Sequence, residues 1–447
     1  MRRTIFALTV VSLALSSCSM IPSYERPTVP MPQDWSVAEP APQSQPDEAP
    51  FWQALGSEDL NGLMKVALTQ NLDLQAALHR VEQARAQTKV AGAALWPSLN
   101  AGGGLSRNSD ESSVESPWRG VTTLSYELDL WGKNRSQATA ANYRVAASQY
   151  DREALWLVVA ADTAAFYTRV LGFNERIRIA ETNLKNAEEI LRIIEARFRA
   201  GSVSALEVSQ QRLAVNDIRA ALTALREQRA TTLNALAILL GQAPQNLNAP
   251  KTVLASVAMP EVSLTPPASL LTARPDIQSA EAGLLAANAD IGVARAAFFP
   301  SLQLGVDSSI AAAGLAHPAN AALSLASNVL APIFSGGRLT GNLESVTARQ
   351  RELAAQYQKT VLTAFREVED ALAALQGSGE QEVLAGESVK EAQNAYTIAK
   401  ARFDAGAIDY LTLLEAQRSL SQAEDGEIVA TVAELEAFIQ LRKALGW

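Results

Sequence analysis

Hydrophobic and polar positions along the chain alternate between a helical and a strand-like regime. Residues 72–96 and 275–299 are rich in Ala, Leu and Gln, hold no proline after their starts and run into Pro97 and Pro300, as helices that end there would. A period of two follows each. Trp118, Thr122, Leu124, Tyr126, Leu128 and Leu130 alternate with Thr123, Ser125, Glu127 and Asp129, which predicts a strand with one apolar and one polar edge. Residues 98–106 are its expected partner, across a polar loop holding Asn108, Asp110, Glu111 and Glu115. In the second half Leu302, Leu304 and Val306 mark one strand and Leu323, Leu325, Val329 and Ile333 another, joined through small residues around 311–320.

The helical regime then returns over a far greater length. From Lys133 to Ala200 there is no proline and one glycine, Gly172, so a continuous helix there would be about 100 Å long at 1.5 Å per residue. No globular domain of this size needs such a helix; it must bridge a distance. Phe198-Arg199-Ala200-Gly201-Ser202 and Phe403-Asp404-Ala405-Gly406-Ala407 predict the turns, with Gly201 and Gly406 supplying the left-handed backbone that ends a helix. The returning helices run to about Leu240 and Leu445, and apolar spacing such as Ile190, Ile193, Ile194 and Phe198 suits coiled-coil packing.

The two halves repeat each other. Asn71-Leu72-Asp73-Leu74-Gln75 and Trp96-Pro97-Ser98-Leu99 match Arg274-Pro275-Asp276-Ile277-Gln278 and Phe299-Pro300-Ser301-Leu302 at an offset of 203. The offset persists from Leu130-Trp131 to Ile333-Phe334 and becomes 205 at the two helix turns. The expected division is a first repeat over 57–243, a linking or equatorial segment over 244–270 containing a proline cluster, and a second repeat over 271–447.

The first residues add a location. Arg2 and Arg3 precede an apolar run from Ile5 to Leu15, too short to span a bilayer, so 1–17 reads as a secretory signal. It ends in Leu15-Ser16-Ser17-Cys18, which resembles a bacterial lipobox, and Cys18 is the only cysteine, so it has no disulfide partner within the chain. Acylation of Cys18 is the expectation. Ser19 replaces the Asp associated with inner-membrane retention, which favours the outer membrane of a Gram-negative bacterium. Residues 18–56, dense in proline, read as a lipid anchor followed by an extended strap.

Charge and composition then exclude other classes. The formal net charge of −9 becomes −11 without Arg2 and Arg3, and no basic or aromatic-basic patch points to nucleic acid. Beyond the signal no apolar stretch near 18 residues stands out, so a membrane crossing is expected through strands. His79 and His317, with no cysteine beyond Cys18, do not make a transition-metal site. The runs Ala101-Gly102-Gly103-Gly104 and Ser335-Gly336-Gly337 lack the ending of a phosphate loop. No nucleophile, base and orienting group form a recognisable catalytic motif, so neither enzyme nor cofactor is expected.

The alternation of the strands suits either a transmembrane barrel or an ordinary hairpin packed on helices. If the strands cross a membrane, four per chain are too few to close a barrel, and several chains must share one.

Tandem repeat, Pro-Ser-Leu entries to the strands, Phe-x-Ala-Gly helix turns and an anchor followed by Tyr24-x-Arg26-Pro27 together resemble the outer membrane efflux protein family. This TolC-like family includes the lipoproteins of resistance-nodulation-division (RND) efflux systems. The resemblance covers nearly all of the mature chain. It implies an α+β fold in which long helical hairpins form a periplasmic α-barrel and four strands per chain join a twelve-stranded barrel in a homotrimer. It also implies a periplasmic adaptor, an inner-membrane RND transporter, and the role of a passive efflux duct. A type I protein-secretion duct, or a lipid-anchored coiled-coil scaffold without a pore, are the alternatives.

The resemblance further places the periplasmic gate at the second helix turn, from Phe403 through Asp409, Leu411, Thr412 and Glu415 to Arg418. Glu415 falls on an acidic gate position, Thr412 on another where this chain is not acidic, and Glu207 on a position that ties neighbouring hairpins. Carboxylates repeated around a narrow mouth attract cations, and Arg197, Arg402 or Arg418 are candidates to latch them. The same residues also suit a solvated helix face with ordinary charge pairs, and Leu411, Leu413 and Leu414 suit hairpin packing better than a constriction.

Overall fold

The computed structural model describes residues 19–36, 50–105, 108–110, 113–115, 118–262, 264–312 and 320–447. The signal stretch, Cys18 and His317 lie outside the described residues. In chain order the elements are α1 (Glu58–Gln70), α2 (Leu72–Ala93), β1 (Ser98–Leu105), β2 (Asn108–Asp110), β3 (Ser113–Glu115), β4 (Trp118–Leu128), α3 (Lys133–Arg199), α4 (Ala205–Leu239), α5 (Pro275–Ala296), β5 (Ser301–Ala312), β6 (Asn320–Leu330), α6 (Arg338–Asp404) and α7 (Tyr410–Leu445). Three short 3₁₀ turns and one turn of helix, Leu270–Ala273, lie between α4 and α5. The fold is α+β: long helical hairpins and a small sheet. Helix α1 was not read from sequence, and the expected polar loop contains the small β2–β3 ribbon.

The chain divides into two compact units. The first, built from residues up to Val29, 77–151 and 276–360, holds an antiparallel sheet of order β1-β4-β5-β6. Directly paired residues share a face, so the alternation of the sequence becomes two opposite surfaces. Leu99, Leu124, Val306 and Leu325 form one row across all four strands, and Leu128, Leu302 and Val329 continue it. Asn100, Thr123, Asp307 and Ser324 form a row on the other face. The apolar face is bare: Leu99 is 69% and Leu325 82% exposed. Among the described residues, strands β1 and β6 each leave an edge unpaired.

Residues 19–29 of the strap lie along α5 in the same unit. Asn288 Nδ2 donates to Pro22 O at 2.8 Å, and Gly292 leaves room for Ile21, whose Cγ1 would stand 2.7 Å from any Cβ there. Glu281 accepts from Arg26 Nε and Nη2 at 2.7 and 2.8 Å and from Tyr24 Oη at 3.1 Å, a bidentate anchor. Burial and the neighbouring Glu281 push the Tyr24 hydroxyl well above its usual range.

The register refines the repeat. Ser98 pairs with Ser125, whereas its counterpart Ser301 pairs with Leu330, so the second strands correspond at 205 rather than 203. Gly132 and Gly337, both left-handed just before the long helices, correspond at 205 as well. The sequence match of Leu130-Trp131 to Ile333-Phe334 is thus displaced by two residues in space.

The second unit comprises residues 30–76, 152–275 and 361–447. Its main core gathers Phe51, Trp52, Leu60 and Met64 against Tyr167 and Leu171 of α3 and Phe438 and Ile439 of α7. Here one expectation is corrected, because α3 does contain an 18-residue window with mean hydropathy 1.3. About 61% of that window is buried within the protein, around Ala160, Ala161, Ala164 and Tyr167, so its apolar character serves core packing. Gly172 lets α3 and α7 approach, since a Cβ there would meet Val432 Cγ2 at 2.6 Å. Polar pairs flank the contact: Arg176 with Asp425 at 2.6 Å and Asn183 with Glu424 at 3.1 Å.

Hairpin α3–α4 carries a ladder absent from the sequence reading. Glu181, Glu188 and Glu195 pair with Arg226, Arg219 and Arg212, each at 2.7 Å. Both sets recur every seven residues, the period that keeps one side of each helix facing the other. The corresponding positions of α6–α7 hold Gly386, Gln393 and Lys400 against Gln417, Glu424 and Thr431, and the ladder is not repeated.

Candidate functional site

Both hairpin tips turn through the same backbone device. Gly201 and Gly406 sit at φ +74° and +73°. Ser202 N–H reaches back to Arg197 O at 2.9 Å and Ala407 N–H to Arg402 O at 2.8 Å, closing the last helical turns. Each following helix starts on a polar cap. Glu207 Oε2 accepts from Ser204 N–H at 2.5 Å, a capping box that engages this carboxylate first with its own helix. Asp409 caps α7, accepting from Thr412 N–H at 2.9 Å and Thr412 Oγ1 at 2.6 Å. The Thr412 hydroxyl and amide hold the Asp409 carboxyl below its ordinary value.

Beneath these caps lies a small apolar core of Ile190, Ile194, Val208, Phe403, Leu413 and Leu414. Leu413 and Leu414 are therefore packing residues, while Leu411, Thr412, Glu415 and Arg418 are exposed on α7. The Arg197 guanidinium stands 4.7 Å over the Phe403 ring rather than on a carboxylate, and Tyr410 meets Phe403 edge-on at 6.2 Å.

Sequence reasoning missed a polar relay inside this core. Tyr410 Oη donates to Gln211 Oε1, and Gln211 Nε2 donates to Ala187 O at 2.6 Å. Tyr410 is 2% and Gln211 0% exposed, so α3, α4 and α7 are joined by hydrogen bonds that water does not reach. Burial drives the Tyr410 hydroxyl well above its usual range, with Arg418 opposing and Glu207 reinforcing the shift. The one available signal was a glutamine and a tyrosine at apolar-face positions of their helices. Among the described residues no group of three His, Cys, Asp or Glu is placed to hold a metal.

The sequence profile of the family described as outer membrane efflux protein matches residues 63–242 and again 267–447. The chain belongs to this family. Among its relatives is the pyoverdine export outer membrane protein OpmQ of Pseudomonas aeruginosa, 38% identical over 98% of this chain and 96% of that protein. The toluene efflux pump outer membrane protein TtgF of Pseudomonas putida is 34% identical over 99% of this chain and 97% of its own length. A crystal structure of a membrane protein from Pseudomonas aeruginosa superimposes with a TM-score of 0.88 at 31% identity, covering 96% of this chain and all of that one. Family members of this kind are outer-membrane channels, and the long hairpins and open sheet described above are this family's fold carried by this sequence.

Proposed function

We propose that three copies of this chain close one twelve-stranded barrel, and that the trimer is the passive outer-membrane duct of a tripartite efflux pump. An inner-membrane RND transporter would deliver cargo to it through a periplasmic adaptor. The four-stranded sheet carries the reading. Its apolar face is exposed, its other face is polar, and two edges lack partners; in hydrocarbon, unpaired backbone groups cost several kcal/mol each, so only closure with other copies is stable. Two copies would give eight strands and a filled interior, whereas three leave a lumen. Acylation of Cys18, supported by the residues before it and by its being the lone cysteine, would hold the strap to the membrane.

The tips serve as the periplasmic gate. Gly201 and Gly406 make the turns; Asp409, Glu415 and Arg418 set the charge at the mouth; Glu207, Phe403 and Thr412 hold the tips in shape; Leu411 faces outward to meet a neighbour. The repeats at 57–243 and 271–447, with 244–270 between, supply two hairpins per chain to one tunnel. The cargo is small molecules, in keeping with relatives named for pyoverdine and toluene. Purified protein in planar bilayers should form small, cation-preferring channels whose preference for cations falls when Glu415 and Asp409 are replaced by the amides. Absence of any conductance from wild type and variants alike overturns the duct. Deleting the gene and measuring susceptibility to drugs, dyes and metals identifies the cargo.

A further inference from the structure

The internal repeat already contains one copy of the contact that a neighbouring chain must make. Within the chain, β4 of the first repeat pairs with β5 of the second, Leu128 opposite Leu302 and Leu124 opposite Val306. The free edges are the corresponding strands, β6 and β1. We infer that β6 of one copy pairs with β1 of the next in the register of that internal junction, placing Ile333 opposite the neighbour's Leu99, Val329 opposite Gly103 and Asn328 opposite Gly104. This rests on the trimeric duct proposed above.

The register follows from the two offsets. First strands correspond at 203 and second strands at 205, as Ser98–Ser125 against Ser301–Leu330 fixes and the left-handed Gly132 and Gly337 repeat. Carrying Leu128–Leu302 through both gives Ile333 and Leu99. The parity is right, because Leu99 lies on the apolar face and Ile333 follows Val329 of that face by four residues.

The register also accounts for a segment the single chain leaves bare. Strand β4 runs past its pairing with β1, from Tyr126 to Leu128, because β5 supports it there. Strand β6 stops at Leu330, where β5 ends, and residues 331–334 have no ladder. Ile333 is 92% and Phe334 91% exposed, extremes for residues of their size. A neighbour's β1 would continue β6 through this segment and cover Ile333. Beyond Leu330 one flank of the strand faces no β5, so the missing N–H of Pro332 is tolerated on that side.

In α5, Ile277 and Leu284 are buried, and so are their repeat counterparts in α2, Leu74 and Val81. Leu78 and Val90 of α2, the counterparts of Glu281 and Val293, are exposed. The intrachain ion pair Arg144–Asp290 ties α3 to α5; its repeat counterparts are Arg349, paired within α6 to Glu352 at 2.6 Å, and Gln87 of α2, so this particular contact is not repeated at the junction between copies. A contact joining two different surfaces, head to tail, closes into a ring when the rotation permits, and pseudo-equivalent spacing within the chain supplies that rotation.

Cysteine pairs read the register directly. Leu99→Cys with Ile333→Cys, and Gly104→Cys with Asn328→Cys, are introduced into the full lipidated chain and oxidised with copper phenanthroline in outer membranes. Single variants report any background from Cys18. Both pairs should convert the monomer band to covalent dimer and trimer on non-reducing gels, reversibly with reductant, while Leu99→Cys with Val329→Cys, four residues out of register, should not. The second pair faces the polar side, so a fold-damaging effect of one pair leaves the other to decide. Native trimers in which the out-of-register pair cross-links and the in-register pairs do not overturn the register and leave the duct standing. Protein that is monomeric by light scattering in detergent overturns both.

Discussion

Replacing Tyr410 with Phe removes one hydroxyl from the relay at the tip and nothing else. Gln211 Oε1 is left buried without its donor, while Gln211 Nε2 keeps Ala187 O at 2.6 Å. Orphaning a buried acceptor costs about 1–3 kcal/mol. A gate that opens by parting α7 from α4 breaks this bond in the open state, so its loss is felt only when closed and shifts the equilibrium toward open by about 5- to 150-fold. Single-channel recording should show that rise in open probability with unchanged unit conductance, because the bore is untouched. Gln211→Leu alone should act similarly, and the double variant, which removes both polar partners and leaves an apolar contact, should recover much of the closed state. Refutation is plain: if Tyr410→Phe leaves open probability unchanged and the two substitutions are additive, the relay is packing and not a latch.

Four further outcomes are expected. Gly377 lies inside α6 with open space where a Cβ would be, so Gly377→Ala should raise stability by about 0.5–1 kcal/mol in chemical denaturation. Gly241 has φ +66° and its Cβ would stand 2.3 Å from Gln70 O; Gly241→Ala should lower the thermal midpoint by more than any exposed substitution, beyond the roughly 1 kcal/mol of an ordinary mutation. Asp409 has a folded pKa below its ordinary 3.8, so its cap is fully formed above that value and is lost as pH falls through the depressed folded one; tip proteolysis should increase below about pH 4, a dependence Asp409→Asn should flatten. Leu325→Arg, on the bare apolar face, should cost about 2–4 kcal/mol if it faces the bilayer midplane, seen as loss of the assembled barrel, whereas Ser324→Arg on the opposite face should assemble.

The sequence by itself determined the four strands of the main sheet, the helices of the two repeats and their order, but not α1 or the β2–β3 ribbon. Alternation from Trp118 to Leu130 and the proline-free run from Lys133 are local properties, and local periodicity specifies strand or helix without reference to partners. The duplication was legible for the same reason, as were the turns at Gly201 and Gly406, where only backbone freedom at one residue is asked for. Resemblance added the family and an expectation of where the gate lies. Tertiary structure decided what depends on residues far apart in the chain. It showed that the apolar window of α3 serves a core, that the Glu–Arg ladder joins α3 to α4, and that Gln211 and Tyr410, 199 residues apart, share a buried bond. It also moved the repeat offset to 205 at β6, which no sequence match revealed, because register is set by pairing and a shift of two residues preserves every face.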